Sequence, residues 1–190
     1  MKSSLISFLL CYCSFTSALY AQEFKGVLIA GASAAQIDGD DLGGFDKAGF
    51  QLGAGVSFPL SEKFLIQPEM MFSQKGSKAR ENEPFFNWQL NYIDIPLILN
   101  YVFSKSIDFQ VGLGANYLLS ARFDDGSGFI DQSEAFKTID FAGNIGIEYH
   151  FSELISGNIR LTTSLANSGK FENYYNRTLN FTLRYHLLPK

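Results

Sequence analysis

Cysteine is almost missing from this chain. Its two copies, Cys11 and Cys13, both lie in the first 22 residues. If that segment is removed, nothing remains for a disulfide framework, a thiolate metal site or a cysteine nucleophile. Charge is also scarce, at 18% of residues against a usual share of about 25%. The 15 Lys and Arg are outnumbered by 19 Asp and Glu, which argues against the basic stripe a nucleic-acid partner requires. No apolar run reaches the roughly 20 residues of a spanning helix. No 3.6-residue apolar period persists long enough for a helix of any kind. Tryptophan occurs once, whereas Phe occurs 19 times, Tyr 9 times and Gly 17 times. Few charges, many aromatics and abundant glycine point to a β-rich protein that water does not surround on all sides.

The first stretch, "MKSSLISFLLCYCSFTSALYAQ", has a short positive start at Lys2 and an apolar core from Leu5 to Phe15. That core is too short to span a bilayer comfortably, and small residues follow it. The pattern predicts a signal peptide over 1–21, cleaved after Ala21, and one mature domain over 22–190. Lys2 is the only charged residue in the segment. Its loss takes the basic count from 15 to 14 against 19 acidic groups, a net charge of −5.

Beyond Phe24, segments of period-two alternation are separated by breaks rich in Gly, Asp and Asn. Eight strands are expected, at 24–34, 48–59, 64–75, 88–101, 108–121, 137–151, 157–166 and 176–187. Many approach the roughly 9–11 residues of a tilted membrane strand. Breaks near 36–47, 77–87, 122–136 and 167–175 are long. Those near 60–63, 102–107 and 152–156 are short. Alternating long and short breaks are the plan of an all-β, eight-stranded antiparallel up-and-down transmembrane barrel, with short periplasmic turns and longer outer loops. The expected location is the outer membrane of a Gram-negative cell, crossed many times.

The two faces of the strands say which side meets lipid. Phe50, Leu52, Ala54, Val56 and Phe58 alternate with Gly49, Gln51, Gly53, Gly55 and Ser57. In "DFQVGLGANYLLSA", Phe109, Val111, Leu113, Ala115, Tyr117 and Leu119 oppose Gln110, Gly112, Gly114, Asn116 and Ser120. The bulky apolar side suits hydrocarbon, and the Gly- and Gln-rich side suits a narrow interior filled by side chains. On this assignment Leu113→Arg costs roughly 2–4 kcal/mol at mid-membrane, and Gln110→Arg costs less. Phe58, Phe64, Tyr101, Phe109, Tyr149, Phe151 and Tyr185 all have outward parity near the short turns or the C-terminal end. They are the expected periplasmic aromatic girdle. Pro68 and Pro96 fall inside strands. Each lacks a ladder donor, so each is expected to mark a bulge or an unpaired site.

Three segments carry a family resemblance: "FLIQPEMMFSQKG", "LNYIDIPLILNY" and "DFQVGLGANYLLSAR". With Gln67-Pro68-Glu69, Gln74-Lys75-Gly76, Tyr92 to Leu97 and Gly112 to Ser120, the chain resembles the PorT-like outer-membrane β-barrel proteins of Bacteroidetes. The resemblance implies an eight-stranded barrel and a Gram-negative outer membrane. It brings little chemistry beyond a family name that comes from a component of type IX secretion. One departure is the ending "RYHLLPK", where many outer-membrane barrels finish on an aromatic residue.

Charges on the inward face are Glu69, Lys75, Asp94, Glu148, Arg160 and Arg184, with His150 and His186. A charge in a narrow lumen must be paired. The expectation is a structural ionic network of Glu69, Asp94, Glu148, Arg160 and Arg184, with a ladder among Glu69, Glu148, Arg160 and Arg184. His150 and Ser152 hint weakly at a lipid hydrolase, but a lumen histidine and a turn serine explain them better. "DGDD" (38–41) and "DDGSG" (124–128) gather carboxylates that could hold Ca²⁺, and solvated acidic turns account for both. The sequence therefore predicts no catalytic residues, no cofactor and no metal site. It predicts a non-enzymatic barrel that contacts outer-membrane lipid and lipopolysaccharide and binds partners through its outer loops. Envelope or secretion proteins are candidate partners, and nucleic acid is not. Rival readings are an envelope or type IX secretion assembly component, a soluble ligand-binding barrel with inverted faces, and an outer-membrane lipid hydrolase.

Overall fold

The computed structural model describes residues 24–40, 43–80 and 84–187; the expected signal peptide lies outside them. Alternation of side-chain polarity gives long antiparallel strands: β1 (Lys25–Asp38), β2 (Lys47–Pro59), β3 (Phe64–Lys78), β4 (Asn87–Val102), β5 (Ile107–Asp124), the two-residue β6 (Ile130–Asp131), β7 (Ile139–His150), β8 (Ile155–Ser164) and β9 (Tyr175–His186). Each long strand pairs with its sequence neighbours. β4 pairs with β5, and β1 closes the ring on β9 through a register running from Val27↔His186 to Asp38↔Tyr175. The result is a closed eight-stranded antiparallel barrel, with β6 an appendage on β5. Closure removes the sheet edge, so the strand backbones find their partners without water. Strand β1 runs four residues past its expected end at 34.

Facing follows the alternation. Leu113 is 66% exposed and Gln110 only 3%. The same contrast holds for Leu52 beside Gln51 and Ile145 beside Asn144. Strands β7, β8 and β9 have 10 to 12 residues, whereas β3, β4 and β5 have 15 to 18. The wall made by β3–β5 therefore rises above the rest on the long-loop side.

Three turns at the opposite end share one construction. Ser61, Ser104 and Ser152 each stand three residues before the next strand begins. The Oγ of Ser61 accepts from the N–H groups of Lys63 (3.3 Å) and Phe64 (3.2 Å). Ser104 does the same for Ser106 and Ile107, and Ser152 for Leu154 and Ile155. The backbone carbonyls of Lys63, Ser106 and Leu154 then accept from Val102, His150 and His186 on the neighbouring strands. A hydroxyl at this position satisfies amides that a tight turn would otherwise orphan.

The prolines mark unpaired sites rather than bulges, the second of the two outcomes expected of them. The β2–β3 ladder passes from Gly55↔Glu69 to Phe58↔Ile66, and the β3–β4 ladder from Pro68↔Leu97 to Met71↔Asp94. Register is the same on both sides of each gap. The missing donors interrupt the ladder without shifting it, because only one amide is lost at each site. The bulge falls elsewhere, between Asn91↔Ser120 and Tyr92↔Leu118, leaving Leu119 as the extra residue of β5. Leu119 stays exposed while Leu118 and Ala121 both turn inward. Near this point β3 and β4 approach closely at Gly76, where φ is +139° and a Cβ would lie 2.0 Å from the Trp88 carbonyl oxygen. Only glycine tolerates both conditions.

Candidate functional site

The lumen is filled in layers, starting from the short-turn end. Four strands aim charged side chains at one centre. Arg160 of β8 grips Glu69 of β3 with two bonds, Nη1 to Oε2 at 2.6 Å and Nη2 to Oε1 at 3.0 Å. Arg184 of β9 reaches both acids, with Nη1 3.1 Å from Glu69 Oε1 and 3.3 Å from Glu148 Oε2. All four groups are 2–3% exposed. Gln110 of β5 ties the cluster together. Its amide donates to Glu148 Oε2 and Asn100 Oδ1, each at 2.8 Å, and its carbonyl accepts from Arg160 Nη2 at 2.9 Å and Asn158 at 2.8 Å. Burying ions so deeply is favourable only when they are paired in good geometry, and the bidentate guanidinium supplies that geometry.

Asp94 does not join this cluster. It faces Lys75, with Nζ to Oδ1 at 2.9 Å, in a separate layer toward the long loops. The Lys75 ammonium also sits 4.7 Å from the centre of the Tyr92 ring. Asn116 lies between the pair; with its amide turned so that the oxygen meets Lys75, it bridges them, oxygen 3.1 Å from Lys75 Nζ and nitrogen 3.2 Å from Asp94 Oδ1. Nearby, Asp140 accepts from Ser164 Oγ (2.9 Å) and Asn176 Nδ2 (3.0 Å). Asp108 and Asp140 are buried in the lumen too. Neither is among the expected inward charges, although Asp108 shares parity with Gln110 and Asp140 with Asn144.

The long-loop end is closed by apolar side chains. Ile37, Leu90, Tyr92, Leu118, Ala121 and Phe136 form a buried cluster, with Trp88, Ala135 and Tyr174 packed on it. Phe136 comes from the segment after β5, just past a short 3₁₀ turn at Ser133–Ala135, and Tyr174 from the loop before β9. The two loops are stitched together. Lys137 N–H donates to the Ser168 carbonyl and Lys170 N–H to the Ala135 carbonyl, both at 2.8 Å. On the segments that join the strands at this end, Phe45, Phe85, Phe129, Ile130 and Phe171 are exposed, Phe171 at 82%.

The acidic loops use their carboxylates internally. Asp124 Oδ1 accepts from the N–H groups of Gly126 and Gly128, and Asp125 Oδ1 from the hydroxyl and N–H of Ser127. The Ser127 hydroxyl and then its N–H hold the Asp125 carboxyl below its ordinary value. The Ser133 amide does the same for Asp131. In "DGDD", Asp38 bonds Gln36 Nε2 and pairs with Arg177 at 2.8 Å; Asp41 lies outside the described residues.

Outside, aromatic rings ring the short-turn end. Phe64, Tyr101 and Phe109 are cross-strand neighbours. The rings of Phe64 and Tyr101 lie 5.3 Å apart, as do those of Tyr149 and Phe151. Phe58 meets Phe24 edge-on at 4.9 Å, and Tyr185 pairs with Ile155 at the same rim. Phe24 and Phe103 belong to this band as well, Phe103 packing on Phe109 at 5.5 Å.

Ser152, raised by the hydrolase reading, spends its hydroxyl on its own turn. A closer serine–histidine contact exists at Ser156, whose Oγ lies 2.9 Å from His186 Nε2. Glu148 Oε1, however, accepts from that same hydroxyl at 2.6 Å and sits 3.2 Å from the same ring nitrogen. A catalytic triad needs the acid on the other imidazole nitrogen, so that the ring can relay a proton.

A closed barrel with a lipophilic outer belt, an aromatic rim and an ion-paired lumen defines a transmembrane barrel of the outer-membrane type. The chain belongs to the family described as outer membrane protein beta-barrel domain, whose model matches residues 6–186. The fold is similar to that of Ail, the attachment invasion locus protein of Yersinia pestis. That likeness has a TM-score of 0.59 at 12% identity and covers 87% of this chain and 99% of that one. It is also similar to Neisserial surface protein A (NspA), with a TM-score of 0.56 at 14% identity, covering 85% and 96%. No curated protein sequence matches the chain. Fold and family place the protein in the outer membrane.

Proposed function

We propose that this protein is a non-enzymatic, multi-pass barrel of the Gram-negative outer membrane that binds a protein partner through its long loops. In this reading the short turns and their aromatic girdle face the periplasm, and the capped end faces outward, surrounded by lipopolysaccharide. The observation that carries the reading is the pairing of a closed cap with exposed aromatics above it. Phe136 is buried to seal the end, while Phe129, Ile130 and Phe171 from the same stitched loops are exposed. Large exposed apolar side chains on the loops of one end are the usual mark of an interaction surface.

Loop charge narrows the partner. The segments 39–46, 79–86, 125–138 and 165–174 hold nine acidic and three basic residues. Ail has been solved in complex with a heparin analogue, sucrose octasulfate. The acidic loops here repel such a polyanion and suit a partner with a basic rim around an apolar centre. The Ser156–His186–Glu148 geometry favours a structural role over hydrolysis, because one nitrogen serves both neighbours.

A second reading is a role in envelope or type IX secretion assembly in a Bacteroidetes cell. It rests on the PorT-like segments around Gln67-Pro68-Glu69 and Tyr92 to Leu97. Photo-crosslinking in the native envelope separates the two. A crosslinker at Phe171 is expected to give a discrete adduct that Phe129→Ser abolishes, and a crosslinker at Leu113 only lipid adducts. Adducts confined to secretion components would select the second reading. No adduct at Phe171 would remove the partner-binding reading.

A further inference from the structure

The chain has only two histidines, and the fold brings both to the same place. His150 ends β7 and His186 ends β9, with ring centres 5.5 Å apart inside the short-turn mouth of the lumen. Each presents Nε2 to the same carboxylate oxygen, Glu148 Oε1, at 4.0 Å for His150 and 3.2 Å for His186. One ligand atom from each of the three residues lies within 4.8 Å of the others. Asp108 of β5 adds a second carboxylate, Oδ2 lying 2.9 Å from His150 Nε2.

We propose that Glu148, His150 and His186 form a site for a divalent transition cation of the zinc class, with Asp108 or a water completing the shell. Donor atoms around tetrahedral zinc, bound at about 2.0–2.1 Å, stand about 3.3 Å apart. The observed spacings of 2.9, 3.2 and 4.0 Å surround that value, in a set that spans no more than 4.8 Å; to bind, the rings draw together and His186 Nε2 exchanges its contact with Ser156 Oγ for the ion. Two imidazoles with carboxylates select Zn²⁺, Cu²⁺ or Ni²⁺ over Ca²⁺ and Mg²⁺, which prefer oxygen alone.

The surroundings fit a metal ligand set. Glu148 divides its oxygens: Oε2 is held by Arg184 and Gln110, while Oε1 accepts from the Ser156 hydroxyl and faces both histidines. Outer partners of this kind fix a ligating carboxylate. A pocket of about 160 Å³ is lined by His150, His186, Glu148 and Asp108, with room for the ion and a bound water. Lys25 lines the same pocket, and its positive charge lowers the affinity for a cation. A bound ion would tie the ends of β7 and β9 together across β8, where the charged layer meets the mouth.

The test uses the untagged mature chain folded in detergent and checked by heat-modifiable gel migration. Titration with Zn²⁺ is expected to show one ion per chain, displacing Co²⁺ that gives the visible spectrum of a four- or five-coordinate site. His150→Gln and His186→Gln each weaken binding tenfold or more, and Lys25→Gln strengthens it. Two histidines give two sets of ring proton resonances, so the wild-type chain alone reports the ligands if a variant does not fold. Both sets are expected to shift together on adding Zn²⁺. No saturable binding, binding unchanged in His150→Gln with His186→Gln, or unshifted ring resonances at saturation would overturn the site.

Discussion

Near the short turns the lumen is packed with ions: two guanidiniums hold Glu69 between them, and Arg184 alone spans both acids. Near the long loops it is packed with hydrocarbon and rings, Ile37, Leu90, Leu118 and Phe136 closing over Tyr92. Both ends satisfy the demand that a narrow barrel leave no void, yet they fail differently. The ionic layer is built on strands, so losing one member leaves a charge stranded in the wall itself. The apolar cap is closed from the loops by Ala135, Phe136 and Tyr174, so losing one of these lets the loops relax while the ladder beneath persists.

The largest effect follows from breaking the ionic layer. Glu69→Ala leaves Arg160 and Arg184 facing each other without their shared anion and is expected to cost about 3–5 kcal/mol, read as a lower urea midpoint for the whole barrel. Leu113→Arg tests the opposite face and is expected to cost roughly 2–4 kcal/mol at mid-membrane in lipid vesicles. Gln110→Arg, expected from sequence to be the mild partner of that pair, is not mild. It places a third guanidinium beside Arg160 and removes the amide that holds Glu148. Its expected cost equals or exceeds that of Leu113→Arg in the same assay.

Breaking the cap is a smaller, local event. Phe136→Ala is expected to cost about 2 kcal/mol, below the range for a phenylalanine in a globular core because loops can collapse into the gap. Protease cleavage within 125–138 should rise before the barrel midpoint moves. Smaller still, Ser61→Ala or Ser104→Ala removes one turn acceptor and costs about 0.5–1.5 kcal/mol, measured by amide exchange of the following two residues. The smallest effect is in the acidic loop. Asp125 has its folded pKa lowered by Ser127, so the order it gives is present above the ordinary aspartate range and lost as pH falls through the lowered value. Amide exchange at Ser127 should quicken only on strong acidification.

Eight strands were legible because period two survives wherever one face meets lipid and the other a polar lumen, as along β2, β5 and β9. Strand β1 was harder to read. Its inward residues, Val27, Ile29 and Ile37, are as apolar as its outward Leu28, and alternation carries no signal when both faces match. Glu69, Glu148, Arg160 and Arg184 could be grouped by parity alone. The ladder expected among those four already left Asp94 out, but its pairing with Lys75 in a separate layer could not be read, since depth along the barrel depends on stagger between strands. The bulge at Leu119 lacks a local mark, whereas Pro68 and Pro96 announce the gaps in the ladder, though not that register would hold across them. The cap was invisible because it joins loops to a wall through Phe136, one phenylalanine among 19.

The facing of β2 is the most direct test, since residues 22–190 contain no cysteine and a chain of those residues takes single labels. Spin labels at Leu52 and Gln51 in the barrel reconstituted into vesicles should differ sharply. The Leu52 label should collide freely with oxygen dissolved in the bilayer, and the Gln51 label should be shielded from it. The reverse order, or equal accessibility at both positions, would contradict a lipid-facing apolar belt around a polar, side-chain-filled lumen.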